Sequence, residues 1–262
     1  MTNRTQQLKK ILNDNKSGSL KILLDLQKHI LQNLDDKAYI KKIITKAEIH
    51  LSHFASVKNF LKELKTKLNL SASSQLKVFL ENSILSRSKE IEDLFEANKK
   101  YLKKFKTVTT LSFSKTLLEF LKLWYKVNPE LKIFILESRP KYEGRLFAKE
   151  LIRVGFNCEI LVDAMMNYAV KNSDAVLIGA DQILGNGNVV NKIGSYPLAL
   201  CAKKNKKPFL VITTKDKFIN SDKFAPKKKS ESEVWNFRHR KLKLTNFYFE
   251  EIPKELITKV IS

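Results

Sequence analysis

The sequence predicts an α/β protein in which a helical domain, residues 1–105, is followed by a parallel-sheet domain, residues 106–262. Two observations support this division. All six prolines and six of the seven glycines lie after residue 128, so the first part of the chain is almost free of helix breakers. From residue 106 onward, short β-branched runs alternate with helical patterns, which is typical of a parallel sheet covered by helices.

Apolar residues with helical spacing fill the first hundred positions. The stripes run over residues 19–34, 46–70 and 76–105. Because no glycine or proline interrupts them, we expect long antiparallel helices here. The 262 residues are enough to bury a substantial core.

The second part of the chain predicts a Rossmann-like sheet with helices on both faces, because its strands are continuously apolar. The predicted strands cover residues 107–112, 132–138, 158–163, 175–181 and 208–214. Ligands of such sheets bind beyond the carboxyl ends of the strands. The sequence has no G-x-G-x-x-G and no G-K-[ST] loop, so a dinucleotide or nucleoside triphosphate site of the usual kinds is not indicated.

After Thr214 the sequence becomes polar and rich in lysine. Residues 215–243 predict an exposed excursion from the sheet. Residues 247–262 predict an apolar segment and a terminal helix that begins near Pro253.

The net charge is +22, from 49 Lys and Arg against 27 Asp and Glu. Such a charge is typical of nucleic-acid partners, but the lysines are spread along the chain, as a general lysine bias would place them. The basic runs show no RNA-recognition signature and little aromatic interleaving. Acidic proteins or phosphorylated ligands explain the charge equally well, so direct RNA binding stays open.

Cysteine and histidine indicate neither a disulfide framework nor a metal site. Cys158 lies in a strand pattern and Cys201 in a helix pattern, so we expect both to be buried and reduced. His29, His50 and His53 fall within helices without carboxylates or cysteines arranged around them. We therefore expect no metal and no cofactor.

The sequence shows no signal for a membrane. No apolar run reaches the roughly 18 residues that span a bilayer, and residues 1–10 are polar, unlike a signal peptide. We expect a cytoplasmic protein with no membrane partner.

Hydroxyls and cations follow the first two predicted strands. Ser112, Ser114, Lys115 and Thr116 lie where a strand passes into a helix, which is a favourable place for a phosphate. Ser114 could equally be a plain helix N-cap. Arg139 follows the second strand and could fork onto a phosphate. Its guanidinium could instead pair with a nearby glutamate, Glu137 or Glu143.

Asp181 ends the fourth apolar strand, directly after Gly179 and Ala180. An ionised carboxylate at the end of a buried strand requires a reason, and small neighbours would let a ligand approach. The following run GNGNVVNKIGS should return Asn191 and Lys192 to the same edge of the sheet.

Two motifs carry a resemblance to a known family. They are the E-x-R-P turn at residues 137–140 and GADQILGNGNVVNKIGSY at residues 179–196. Residues 106–262 resemble the initiation factor 2B superfamily. That family contains regulatory subunits of the translation factor and two isomerases, which act on ribose-1,5-bisphosphate and on methylthioribose-1-phosphate. Ser17, Gly18 and Ser19 resemble its first ligand loop.

The resemblance implies roles for several residues. Asp181 would act on a sugar as general acid or base, and Asn191 with Lys192 would hold that sugar. The isomerases also carry a catalytic cysteine in a T-H-C-N stretch, and alignment on TTLSFS places this cysteine at Ser112. The neighbouring histidine and asparagine positions fall on Leu111 and Phe113. Serine is a far weaker acid and nucleophile than cysteine.

Three functions follow from these observations. The first expectation is a non-catalytic regulatory subunit in translation initiation that contacts related subunits or initiation factor 2, with a crevice for a phosphorylated small molecule. The alternative is a sugar-phosphate isomerase that uses Asp181, with Ser112 in place of the cysteine. The third is a basic RNA-associated protein.

The resemblance also implies a dimer formed through the second domain. Residues 164–170 and 247–257 are apolar, contain Met and aromatic side chains, and are poor in lysine, as interfaces are. The same residues could instead fill the core of a monomer.

Overall fold

The computed structural model describes residues 3–14, 18–52, 54–70 and 72–262. Five helices form the N-terminal part: α1 (Asn3–Leu12), α2 (Ser19–Leu31), α3 (Lys37–His50), α4 (Ala55–Leu70) and α5 (Ser73–Leu102). They bury a common apolar core of leucine, isoleucine and phenylalanine. The stripe over residues 46–70, which reads as one helix, is divided between α3 and α4.

The second part alternates strands and helices, as the sequence predicts. Its strands are β1 (Thr107–Leu111), β2 (Lys132–Leu136), β3 (Asn157–Leu161), β4 (Ala175–Ile178), β5 (Gln182–Ile183), β6 (Val189–Lys192), β7 (Phe209–Ile212), β8 (Phe249–Ile252) and β9 (Lys259–Ile261). Its helices are α6 (Lys115–Tyr125), α7 (Glu143–Val154), α8 (Met166–Lys171) and α9 (Ser195–Lys204).

Six strands form a parallel sheet in the order β3-β2-β1-β4-β7-β9. One core cluster lies between the sheet and α5, α6 and α7, and a second lies between the sheet and α8 and α9. Both faces are therefore covered, which is why β1, β2, β4 and β7 are buried over nearly their whole length. The predicted α/β fold with a Rossmann-like parallel sheet is confirmed.

The end of the chain differs from the prediction. Only a three-residue 3-10 turn, Lys254–Leu256, follows Pro253, and it does not continue as a terminal helix. Instead β8 joins β5 and β6 in a small antiparallel sheet, and β9 pairs with β7 at the edge of the large sheet. β9 is exposed at Lys259, where it begins, and buried at Ile261, where it ends beside Ile212 of β7, so these residues close the edge of the large sheet instead of continuing a helix.

The lysine-rich excursion, residues 215–243, is tied to both parts of the chain. Arg87 of α5 pairs with Asp216 at 2.5 Å, and the Asn59 amide of α4 donates to the carbonyls of Asp216 and Phe218. Most of the excursion beyond residue 218 is exposed, as predicted. Within the described ranges, no helix has the length and apolar character that crossing a bilayer requires.

Candidate functional site

The site lies where the direction of strand addition reverses. From β1 the chain adds β2 and β3 on one side, and β4 is then added on the other side of β1. Side chains and backbone leave a crevice at the carboxyl ends of strands flanking such a switch point. A cavity of about 460 Å³ occupies this place, a volume within the usual range for small-molecule sites.

Most of the predicted site residues line this cavity. The structure brings together residues from the start of α2, from the turns after β1 and β4, and from β6: Gly18, Ser19, Ser112, Ser114, Asp181, Asn191 and Lys192. Ser17 and His53 lie outside the described residues. The sequence patterns thus converge on one cavity, although they come from segments far apart along the chain.

Asp181 is the strongest chemical feature of the cavity. Burial raises the pKa of its carboxyl from 3.8 to about 6, although the positive charges of Lys217 and Lys192 favour the ionised form. The Lys217 ammonium donates to the carbonyl of Ala180 at 2.5 Å, so this cation is fixed beside the carboxylate. A carboxyl with a pKa near 6 can both release and accept a proton at neutral pH.

Lys192 forms a buried ion pair. Its ammonium lies 2.5 Å from Oε1 of Glu143, with the two side chains only 5% and 9% exposed, and 4.8 Å from the ring centre of Tyr248. The second oxygen of Glu143, Oε2, has no hydrogen-bond partner among the described residues. A buried carboxylate oxygen without a partner costs free energy, and a hydroxyl-bearing ligand would satisfy it.

A β-hairpin explains the run of glycine and asparagine after Asp181. β5 pairs with β6 through a tight loop in which Leu184 and Asn188 share a hydrogen bond, and Gly187 adopts a φ of 87° that favours glycine. The hairpin returns Asn191 to the cavity, where its amide donates to the hydroxyl of Ser195 at 2.9 Å.

The sequence suggested that Gly179 is small so that a ligand can approach Asp181, but the structure gives a different reason. A Cβ at this position would lie 2.3 Å from the hydroxyl oxygen of Ser114. The space beside Asp181 that we expected a ligand to use is therefore filled in part by the N-cap of α6. The Ser114 hydroxyl also accepts a hydrogen bond from the Leu117 amide at 3.2 Å, which agrees with the alternative N-cap role.

Ser112 stands in a constrained turn at the end of β1. Its φ is 66°, a left-handed conformation that is uncommon for serine, and its backbone N–H donates to the Ser138 hydroxyl at 2.7 Å. The Asp163 carboxylate holds the adjoining turn by accepting from the amides of Ser138 and Arg139. These bonds fix the strand ends and keep Ser112 in the cavity wall, of which it is a lining residue.

Two helix N-termini meet at the cavity. α2 begins after Gly18 and α6 begins after Ser114, and a Cβ on Gly18 would lie 3.0 Å from the carbonyl oxygen of Phe113. The unpaired N–H groups of a first helical turn attract anions. This convergence favours a phosphate on the side of the cavity where the two helices begin.

Arg139 is not brought to the cavity wall. Its guanidinium donates to the Tyr142 hydroxyl at 2.5 Å and to the Val234 carbonyl at 2.8 Å. Neither Glu137 nor Glu143 is its partner, since Glu137 pairs with Arg145 and Glu143 with Lys192. The guanidinium thus ties the excursion to the turn after β2, and the phosphate contact predicted for it has no support in this geometry.

Sequence reasoning missed several lining residues, among them Glu143, Lys217, Lys229 and Tyr248. Burial lowers the pKa of Lys217 and of Lys229, and burial together with the Glu233 carboxylate raises the pKa of Tyr248. Lys217 and Lys229 belong to the excursion, where they are two lysines among many. No local sequence signal distinguishes them, because only tertiary folding turns them inward.

The remaining polar chemistry is sparse. Burial raises the pKa of Cys158 to about 11 and raises that of Cys201 as well, so neither thiol has the lowered pKa of an activated nucleophile. Both are half-buried rather than buried. Across the described ranges, no cluster of three or more His, Cys, Asp or Glu side chains could hold a metal ion.

Comparison with known proteins identifies relatives over almost the whole chain. The model of the Initiation factor 2 subunit family matches residues 12–262. Ribose 1,5-bisphosphate isomerase of Methanocaldococcus jannaschii is 31% identical over 185 residues, 68% of this chain and 60% of that protein. Methylthioribose-1-phosphate isomerase of Leptospira biflexa is 38% identical over 126 residues, 45% of this chain and 35% of that protein.

Solved structures agree with the fold. Translation initiation factor eIF-2B of Pyrococcus horikoshii superimposes with a TM-score of 0.83 at 22% identity, covering 100% of this chain and 95% of that one. The eIF2B-beta2-delta2 complex of C. thermophilum gives a TM-score of 0.78 at 14% identity, covering 100% of this chain and 91% of that one. At these identities the likeness concerns the fold alone. The match to the ribose 1,5-bisphosphate isomerase of M. jannaschii spans 60% of that protein's length.

Proposed function

Because the chain belongs to the initiation factor 2 subunit family, we propose that its cavity binds a phosphorylated pentose and isomerises it between aldose and ketose, with Asp181 transferring the protons. The curated relatives support this substrate class, since they are isomerases of ribose 1,5-bisphosphate and methylthioribose-1-phosphate. Their names favour the second of our three sequence-based functions over the regulatory subunit that we expected first.

The raised pKa of Asp181 carries the proposal. Glu143 in the same cavity is paired directly with Lys192, whereas Asp181 titrates near pH 6 at a topological switch point. Perturbed carboxyls in a cleft are candidates for acid–base chemistry. Conversion of an aldose to a ketose requires proton transfers at sugar oxygens, which such a carboxyl performs.

In the proposed reaction, one carboxyl group donates a proton and later accepts one. Protonated Asp181 gives its proton to the ring oxygen of the sugar as the bond from that oxygen to C1 breaks. The hydrogen on C2 then moves to C1 with its electron pair, and the C2 hydroxyl returns its proton to the Asp181 carboxylate as it becomes a carbonyl. The phosphate on C1 stays in place, and the carboxyl ends as it began.

The cations around Asp181 suit the substrate's charge. Lys229 lines the cavity without an ion pair among the described residues, and the N-termini of α2 and α6 face the same space. Lys192 is already neutralised by Glu143, so we assign it to a sugar hydroxyl together with Oε2 of Glu143. Lys229 and the two helix termini are the groups we assign to phosphate.

Ser112 sets the expected rate. The family resemblance implies a cysteine at this position, and a serine hydroxyl ionises far less readily. We therefore assign Ser112 a hydrogen bond to the sugar and expect slow turnover. A Ser112→Cys variant should be at least about tenfold faster if a thiol at this place assists the reaction.

The decisive experiment compares two matched variants. Wild type, Asp181→Asn and Asp93→Asn are incubated with ribose 1,5-bisphosphate and with methylthioribose-1-phosphate, and ketose formation is followed. Asp93 is exposed on α5, so its variant makes the same chemical change away from the cavity. Loss of acid–base catalysis commonly costs roughly 10²–10⁴-fold. We expect that loss for Asp181→Asn alone, and equal rates for all three proteins would overturn the proposal.

The regulatory subunit remains the second candidate because Leu111, Ser112 and Phe113 replace the family's His-Cys-Asn. It predicts that calorimetry detects sugar-phosphate binding while wild type and Ser112→Cys both fail to turn the substrate over. Assembly with copies of the chain or with related subunits fits either function, as the fold-related eIF2B complex is built from beta and delta subunits. Contact with initiation factor 2 and a cytoplasmic location stay predictions.

A further inference from the structure

We propose that residues Trp235–Lys243, which we call the aromatic strap, bind single-stranded nucleic acid by stacking bases on aromatic rings and pairing phosphates with the cations between them. The strap lies in the lysine-rich excursion and none of its residues lines the sugar-phosphate cavity. The proposal is therefore independent of the proposed function.

The strap presents three rings as a continuous ladder. Trp235 and Phe237 stack with centroids 4.7 Å apart and planes inclined by 28°, and Phe237 and His239 are parallel within 2° at 6.4 Å. Trp235 is 57% exposed and Phe237 46% exposed. Large aromatic side chains are usually withdrawn into the core, so an exposed ladder indicates a partner with flat apolar faces.

Cations alternate with the rings. Arg238 follows Phe237, Arg240 follows His239, and Lys241 and Lys243 continue the segment. No Asp or Glu occurs between Glu233 and Glu250, and within the described chain none of these four cations forms a salt bridge. The strap therefore keeps a positive field that no carboxylate within it compensates.

The strap is held at its start. Glu233 accepts hydrogen bonds from the Asn246 amide at 3.0 Å and the Tyr248 hydroxyl at 2.5 Å, and it pairs with Lys141 at 2.7 Å. The guanidinium of Arg139 donates to the carbonyl of Val234. These anchors order the backbone before Trp235, so the ladder loses less conformational entropy when a ligand binds.

The chemistry favours nucleic acid over a protein. Protein interfaces are enriched in aromatic residues and arginine but depleted in lysine, whereas the strap combines all three without a carboxylate. Single-stranded nucleic acid offers an aromatic base and a phosphate in every nucleotide, which matches rings and cations in alternation. The expectation of little aromatic interleaving in the basic runs is therefore wrong for the run WNFRHRKLK.

Fluorescence anisotropy tests the proposal. A labelled oligouridine of about 15 nucleotides is titrated with wild type, Trp235→Ala/Phe237→Ala, Arg238→Glu/Arg240→Glu and the control Lys62→Glu/Lys67→Glu. The control makes the same charge change on exposed positions of α4. Base stacking implies at least about a tenfold loss of affinity for the ring variant, the arginine variant should lose as much, and the control should keep most of the affinity.

Two controls distinguish nucleic-acid binding from unfolding and from general anion binding. Circular dichroism confirms that each variant is folded, as we expect because all changed residues are exposed. Polyglutamate of matched charge is titrated in parallel as a probe for a general anion or protein surface. Loss of oligouridine binding with both strap variants supports the proposal. Equal binding of oligouridine by the ring variant and wild type, or equal affinity of wild type for polyglutamate, would overturn it.

Discussion

The cavity and the aromatic strap both concentrate positive charge, but the environment of the cations differs. In the cavity, Lys192 and Lys217 are buried and held by Glu143 and by the carbonyl of Ala180. In the strap, Arg238 and its neighbours are exposed and have no carboxylate within the strap. A buried cation must be paired or must lose its proton, whereas an exposed one is stabilised by water. The net charge of +22 therefore combines cations with different roles, buried and paired in the cavity but exposed in the strap.

The first prediction breaks the buried pair. Glu143→Ala leaves Lys192 buried without its counter-ion, and we expect the free energy of unfolding to fall by about 3–5 kcal/mol. Glu231→Ala, at an exposed position of the excursion, should change it by less than about 0.5 kcal/mol. Urea denaturation measures both. A loss below about 1 kcal/mol for Glu143→Ala would show that the cavity charges are solvated like those of the strap.

The second prediction concerns pH. Burial raises the pKa of Asp181 from 3.8 to about 6, so the folded protein holds this proton more tightly than the unfolded chain. The bound proton adds its full contribution to the free energy of unfolding below about pH 4. This contribution declines as the pH rises to about 6, a loss of about 3 kcal/mol. The difference in unfolding free energy between wild type and Asp181→Asn, measured from about pH 4 to 8, isolates this contribution. A constant difference would contradict the raised pKa.

The third prediction separates the two cation clusters by ligand. Lys229→Ala should weaken binding of ribose 1,5-bisphosphate by roughly 1.5–3 kcal/mol, the usual value of a hydrogen bond to a charged group. Lys243→Ala, in the strap, should leave this affinity unchanged. Isothermal titration calorimetry measures both variants. Equal losses would mean that long-range charge rather than contact in the cavity attracts the sugar phosphate.

The smallest predicted effect concerns an exposed apolar surface. Ile160 and Val162, on and after the edge strand β3, are 46% and 51% exposed, and Met165 and Tyr168 in the following segment are 37% and 50% exposed. We expect a dimer through this surface, with a light-scattering mass near twice the chain's 30.3 kDa. The Val162→Lys variant should make the free energy of dimerisation less favourable by about 1.5 kcal/mol. A wild-type mass that stays at 30.3 kDa at all concentrations would rule out the dimer.

Tyr248, which we expected at the interface, instead lines the cavity.

Sequence reasoning performed well where the signal is local. The strands at 107–112 and 175–181 follow from β-branched apolar runs, and the position of Asp181 at a strand end follows from them. The inward-facing Lys217 and Lys229 could not be predicted, because they differ from other lysines only through contacts across the fold. The terminal helix was predicted wrongly because Pro253 suits a helix start as well as a strand end.

The pH dependence of turnover tests the central claim most directly. The rate constant kcat/KM for ribose 1,5-bisphosphate is measured from about pH 4.5 to 8.5, and it reports the pKa of groups in the free enzyme. If protonated Asp181 begins the reaction, kcat/KM is constant at low pH and falls about tenfold per pH unit above about pH 6, in wild type and Ser112→Cys alike. A rate that rises through pH 6, or that shows no break there, would contradict the role we assign to Asp181.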